Sequence, residues 1–177
     1  MIDVPALTAI GWNARLAAAH AALPDGSGRP ARVIEQHRAH LLVDDGRTTL
    51  KANALAGLFE TLAAAGDGLA VGDWVLVAET GGTPYLTGCL PRASLLQRSR
   101  PEHGVQRIAA NVDTALLVMA LDNDYSPNRL ERYLLMVRAA AVAPVVVLTK
   151  PDRATALDAQ RAEIGRASCR ERVFGYV

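Results

Sequence analysis

A small β-barrel followed by a partial, incomplete parallel α/β sheet is the fold class this sequence predicts, and three observations predict it. Between Pro30 and Leu90, short apolar stretches are separated by turn dipeptides such as Asp45-Gly46 and Gly81-Gly82, the pattern of several short antiparallel strands. Val112 to Ala120 and Pro144 to Leu148 are instead nearly continuous apolar runs, as expected of strands covered on both faces. Between those runs Leu130, Leu134 and Val137 stand at i, i+4 and i+7, one buried stripe of a helix.

The elements follow in order. Leu7, Ile10, Leu16 and Leu23 among many alanines predict an amphipathic helix over residues 6–23, and Asp25-Gly26-Ser27-Gly28 a linker. Strands are expected at Ala31–Gln36, His40–Asp44, Thr48–Lys51, Val71–Ala78 and Tyr85–Leu90, with helix or loop over Leu55–Ala65. This many short strands in about 60 residues suit a small barrel; periodicity alone does not separate an OB-type barrel from an SH3-like one. Residues 92–110 read as a basic linker. Ser126-Pro127 opens the later helix, Ser126 at the N-cap and Pro127 at N1. Strand, helix and strand then make one βαβ unit, whose right-handed crossover makes the strands parallel. The expected organisation is helix and linker (1–29), barrel (30–91), basic linker (92–110) and truncated α/β domain (111–162).

Composition narrows the function classes. With 50% hydrophobic and 21% charged residues, the 177-residue chain is globular rather than disordered. A formal charge of +1 gives no whole-chain argument for nucleic acid, so any such surface is a local patch. Cys89 and Cys169 are too few for a disulfide framework or a closed zinc site, which points to a reducing cytosol. Neither a basic leader nor a run of about 20 apolar residues is present, so no secretory or membrane-spanning segment is expected.

The chemistry is concentrated in Pro144-Val145-Val146-Val147-Leu148-Thr149-Lys150-Pro151-Asp152. A β-branched run ending in Thr-Lys-x-Asp is how a GTPase presents its guanine-reading loop at the carboxyl end of a buried strand. The Asp152 carboxylate would accept both N1–H and the exocyclic N2–H of guanine, a donor pair that adenine lacks. Lys150 would lay its aliphatic stem along the base while its ammonium ties neighbouring loops together. The first position usually carries Asn; Thr149 keeps a hydroxyl and loses an amide. No G-x-x-x-x-G-K-[ST] phosphate loop occurs in the chain, although in an ordinary GTPase it comes first. Either the match is a polar turn without a ligand, or the order of motifs is permuted.

Other residues carry weaker signals. Arg92, Arg98, Arg100 and Arg107 form a basic stretch that would grip a phosphate backbone; the alternative is a solvated linker. Trp74 reads as barrel core rather than a stacking platform. His20, His37, His40 and His103 lack metal spacing, and no metal ligand is assigned. Asp122-Asn123-Asp124 reads as an acidic turn rather than a divalent-metal site.

Taken together these segments resemble the bacterial small-subunit-dependent, circularly permuted GTPases of ribosome assembly. The resemblance rests on Ile10-Gly11-Trp12-Asn13, Val71-Gly72-Asp73-Trp74-Val75, Ile108-Ala109-Ala110-Asn111-Val112-Asp113, Arg129-Leu130-Glu131-Arg132-Tyr133 and the Thr149-Lys150-Pro151-Asp152 loop. It implies an OB-fold barrel, then a P-loop GTPase domain whose guanine loop precedes its phosphate loop, then a zinc-binding helical domain. It further implies a cytoplasmic, monomeric enzyme that hydrolyses GTP to GDP with Mg²⁺ and carries a structural zinc. Its partners would be the 30S subunit and 16S rRNA, in late maturation of that particle. Phosphate loop, Asp-x-x-Gly loop and Cys/His cluster would fall beyond residue 162, so the 177-residue chain is expected not to hydrolyse GTP.

From Glu163 onward the text changes character, with neither strand alternation nor a continuing helical stripe, and resembles a translated sequencing adapter. Residues 163–177 are therefore set aside as a non-native tail; a genuine basic helix is the alternative. Two other functions remain open. One is a stand-alone OB-fold RNA-binding module without enzymatic activity. The other is a functionless, aggregating piece, because two strands without their sheet leave unpaired edges and an uncovered apolar face.

Overall fold

The computed structural model describes residues 2–24, 26–37, 40–54, 68–100, 102, 104–154, 156–167 and 173–176. The expected helix or loop at Leu55–Ala65, His103 and Cys169 lie outside them. Two compact units emerge, Met1–Leu95 with Ser99–Asn111, and Leu96–Arg98 with Val112–Val177.

The first unit opens with two helices rather than the one expected over 6–23. Helix α1, Val4–Ala9, is capped by Asp3, whose side chain accepts the Ala6 N–H; α2, Ala14–Ala21, is capped in the same way by Asn13 through the Leu16 N–H. Gly11, at φ +101°, breaks the helical path, and the Trp12 N–H turns back to the Leu7 carbonyl at 3.0 Å. The break is physically useful because it drives Trp12 inward. Its ring meets Trp74 edge-on at 4.9 Å, in a cluster with Leu7, Leu16, Leu76 and Leu90.

Five strands form a closed barrel in the order β1-β2-β3-β5-β4: β1 Arg29–Gln36, β2 Leu41–Asp44, β3 Thr49–Ala54, β4 Trp74–Thr80 and β5 Thr83–Cys89. A parallel β3–β5 pairing, Asn53 opposite Tyr85, and an antiparallel β1–β4 pairing, Ala31 opposite Val75, complete the ring. That order is the OB-type arrangement, which decides between the two barrels left open by periodicity. Inward positions alternate along each strand, placing Ala31, Val33, Leu41, Val43, Val75, Val77 and Leu86 in the core. Strand β4 starts at Trp74 and not at Val71, because Val71 and Gly72 form the turn that leads into it.

Residues 92–110 are not an unstructured linker: β6, Leu95–Arg100, and β7, Gly104–Ala110, pair as a two-stranded sheet. At the end of β7 Asn111 takes a left-handed conformation, φ +54°. Its amide donates to the Gly72 carbonyl at 3.0 Å and accepts from the Ala93 N–H at 2.9 Å, fastening this strand end to the barrel.

The second unit is a parallel sheet in the order β10-β9-β8, made of β8 Thr114–Ala120, β9 Ala143–Thr149 and β10 Val173–Tyr176. Helix α3, Pro127–Ala139, buries Leu130, Leu134 and Val137 as its spacing predicts. Ser126 occupies the N-cap position without a side-chain cap bond, and Pro127 fills the first turn. Leu117, Met119, Val146 and Leu148 meet that stripe. The expectation that β8 is covered on both faces is corrected: Leu116 and Val118 are 64% and 62% exposed. Alternation sends Leu117 and Met119 to the helix side and the other two to a face that no described element covers. The segment set aside from residue 163 also differs from expectation. Helix α4 spans Leu157–Ala167, Ile164 is buried in the core with Leu148, and β10 adds a third strand to the expected two.

Candidate functional site

The βαβ crossover brings the carboxyl ends of β8 and β9 side by side, in register from Thr114–Ala143 to Ala120–Thr149. One further bond extends the ladder past the strand ends, from the Leu121 N–H to the Thr149 carbonyl at 2.9 Å. Thr149 is therefore the last residue of β9 and half-buried. Ligands of open parallel sheets sit at this edge, beyond the carboxyl ends of the strands.

Immediately after β9 the chain turns sharply. Lys150 adopts the left-handed conformation, φ +56° and ψ +51°, and Pro151–Arg153 form a single 3₁₀ turn. The Arg153 N–H closes on the Lys150 carbonyl at 3.1 Å. A non-glycine residue in this conformation costs of order 1 kcal/mol and persists when the surroundings fix it. Here the fixing contact is an ion pair: Lys150 Nζ donates to Asp122 Oδ2 at 2.6 Å. Asp152 projects from the turn with its side chain 77% exposed, and Arg153 Nε lies 3.9 Å from its carboxylate. An exposed pair at that separation holds neither partner firmly.

Asp122 is the residue that sequence reasoning left as part of an acidic turn. Its second oxygen accepts the Asp124 N–H at 3.0 Å, so one carboxylate shapes the turn after β8 and restrains Lys150 after β9. The Lys150 hydrogen bond, with the Asp124 N–H behind it, holds the Asp122 carboxyl below the ordinary value of 3.8. The acidic turn is further fixed by Arg129, which donates to Asp124 Oδ1 at 3.1 Å. The available signal in the sequence was position: Asp122 follows the first parallel strand as Lys150 follows the second.

The four arginines have different fates. Arg92 is not a backbone-gripping cation; its guanidinium pairs with the fully buried Asp73 at 2.6 Å and donates to the Gly68 carbonyl at 2.6 Å. Burial explains the difference, because a fully buried Asp needs a charged donor. Arg98 is exposed on β6 and Arg107 half-buried on β7. Arg100 ends β6, and its side chain lies outside the described part. Trp74 is 1% exposed, a core residue. Among the described residues no group of three or more His, Cys, Asp or Glu side chains could hold a metal ion. No helix among them is long and apolar enough to cross a membrane.

The described residues thus combine a closed OB-type barrel, a parallel sheet and a Thr-Lys-x-Asp turn at the carboxyl edge of that sheet. Residues 89–173 match the model of the RsgA GTPase family. A small ribosomal subunit biogenesis GTPase RsgA from Xanthomonas oryzae pv. oryzae is 38% identical over 161 residues, covering 85% of this chain and 43% of the relative. Its counterpart in Xanthomonas campestris pv. campestris is 41% identical over 145 residues, 80% of this chain and 37% of the relative. The chain thus spans less than half the length of these curated relatives. Among solved structures, YjeQ from Thermotoga maritima superposes with a TM-score of 0.61 at 18% identity, over 84% of this chain and 51% of that one. YloQ, a circularly permuted GTPase, gives 0.56 at 23% identity, over 88% and 53%. These two likenesses concern the fold.

Proposed function

We propose that this chain is the barrel and guanine-reading portion of a GTPase that acts in biogenesis of the small ribosomal subunit. The observation that carries the reading is the Thr149–Asp152 turn at the carboxyl edge of the sheet, following an OB barrel in sequence. The family-model match over residues 89–173 and relatives named as small ribosomal subunit biogenesis GTPases support it. In this reading Asp152 accepts N1–H and N2–H of guanine, Lys150 lies along the base, and Thr149 closes the end of β9. Hydrolysis of GTP belongs to the whole protein, because a phosphate loop that cradles the β- and γ-phosphates is required for it. Mg²⁺, when bound there, would supply charge neutralisation at those phosphates.

We place the domain boundaries at residues 30–91 for the barrel and at residue 111 for the start of the GTPase portion, which takes in helix α4. The partner is the 30S subunit, met through 16S rRNA, by a monomeric cytoplasmic protein. Arg98, Arg100 and Arg107 are the side chains assigned to phosphate contacts. The test is a titration of the ¹⁵N-labelled chain with guanosine and adenosine monophosphates. Resonances of residues 149–153 shifting with GMP and not with AMP support the reading; equal responses sink it.

A further inference from the structure

We infer that Asp122 is a positioning residue of the guanine-reading loop, acting on the base through Lys150. The inference rests on the guanine-reading assignment above and extends it to a residue outside the Thr-Lys-x-Asp motif. Three observations carry it. Lys150 holds a left-handed backbone that a side chain with a Cβ rarely adopts. Its ammonium is attached at 2.6 Å to Asp122, which lies 28 residues earlier in sequence and on the neighbouring strand end. Asp122 is itself held, its other oxygen accepting the Asp124 N–H, and its side chain is only 19% exposed against 51% for Lys150. The better-fixed partner is thus the acid, and the lysine is the group being placed.

The geometry has a chemical consequence. A lysine stem carries several rotatable bonds, and leaving it free would cost rotamer entropy when a base stacks along it. Anchoring the ammonium on Asp122 removes part of that freedom before the ligand arrives, which is preorganisation. The same anchor fixes where the 3₁₀ turn leaves β9, and so the direction in which Asp152 is offered. The Asp122 carboxylate therefore contributes to guanine affinity without touching the base.

The experiment is the same GMP and AMP titration, applied to the 177-residue chain and to Asp122→Asn, Asp122→Glu, Lys150→Met and the Asp122→Asn/Lys150→Met pair. Asp122→Asn is expected to weaken GMP binding about two- to fivefold, the range of an exposed ion pair, and to leave AMP unchanged. Asp122→Glu restores most of the loss. In the Lys150→Met background Asp122→Asn adds nothing, because its route to the base is already gone. An additive loss in the pair, or an unchanged GMP constant in Asp122→Asn, overturns the positioning role and leaves the guanine reading in place. Equal GMP and AMP affinities in the parent chain overturn the guanine reading and this inference with it.

Discussion

Arg92 and Asp73 form a two-pronged ion pair inside the first unit: Nε donates to Oδ1 at 2.6 Å and Nη2 to Oδ2 at 2.7 Å. Asp73 also accepts the Ala70 N–H at 2.8 Å, so its carboxylate is satisfied although it is fully buried. The two residues flank the last barrel strands in sequence, and their contact locks the chain leaving the barrel onto the turn that enters β4.

Removing one partner leaves a buried charge without compensation. Arg92→Met is therefore expected to destabilise the chain by about 3–5 kcal/mol, read as a fall in the urea midpoint with little change in slope. A loss below about 1 kcal/mol, as for a surface arginine, would contradict this placement.

Gly72 sits at φ +92°, and a Cβ there would come within 2.1 Å of the Ala110 carbonyl oxygen. The obstacle is backbone, which cannot swing aside as a side chain can. Gly72→Ala combines an unfavourable dihedral with that clash, and a destabilisation of about 2 kcal/mol or more is expected in thermal unfolding. Gly81→Ala is the control for the clash alone, since Gly81 also has a positive φ of +58° but a Cβ there meets nothing within 4 Å.

What could be read in the sequence, and what could not, divides along the range of the interactions. The barrel strands, the α3 stripe of Leu130, Leu134 and Val137, and the position of Thr149-Lys150-Pro151-Asp152 after a strand follow from local pattern. The break at Gly11 was missed because an alanine-rich segment satisfies helical spacing on both sides of it. Spacing alone groups Arg92 with the basic residues because its partner Asp73 lies 19 residues away, on the far side of two barrel strands. Asp122 was read as turn for the same reason: only the parallel pairing of β8 and β9 shows that it faces Lys150. The exposed face of β8 was mistaken for a covered one because an unbroken apolar run looks the same in both cases.

That face makes a prediction of its own. Leu116 and Val118 stand opposite Val145 and Val147, an apolar strip on an edge strand, which invites self-association. Leu116→Lys with Val118→Lys is expected to reduce light scattering of the chain at a given concentration, with stability changed by about 0.5 kcal/mol or less as for surface sites. Unchanged scattering would mean that other surfaces drive association.

Acid should release the loop, and neutral pH should hold it. The Asp122 carboxyl is held low by the Lys150 hydrogen bond and the Asp124 N–H, so its folded value lies below the unfolded one near 3.8. A group of this kind contributes stability that is fully present above the unfolded value and lost as pH falls through the folded one. The Asp122 side-chain carbon resonance should therefore titrate below 3.8 in the parent chain and move back toward that value in Lys150→Met. The same titration point in both proteins would show that the ion pair does not form in solution.

The most direct prediction concerns base identity at Asp152. A carboxylate offers only acceptors, matching the N1–H and N2–H donors of guanine; an asparagine offers one acceptor and one donor. In Asp152→Asn the donor meets the guanine N2–H head-on, whereas xanthine places a carbonyl oxygen at that position and accepts it. GMP binding should fall about tenfold or more, the scale of losing a charge-assisted hydrogen bond and facing a mismatched donor, while xanthosine monophosphate gains relative to GMP. Because the Asp152 side chain is largely exposed, the substitution should leave the melting temperature unchanged, which separates a change of specificity from a loss of fold. A variant that still prefers GMP over xanthosine monophosphate by the parent ratio would show that Asp152 does not read the base.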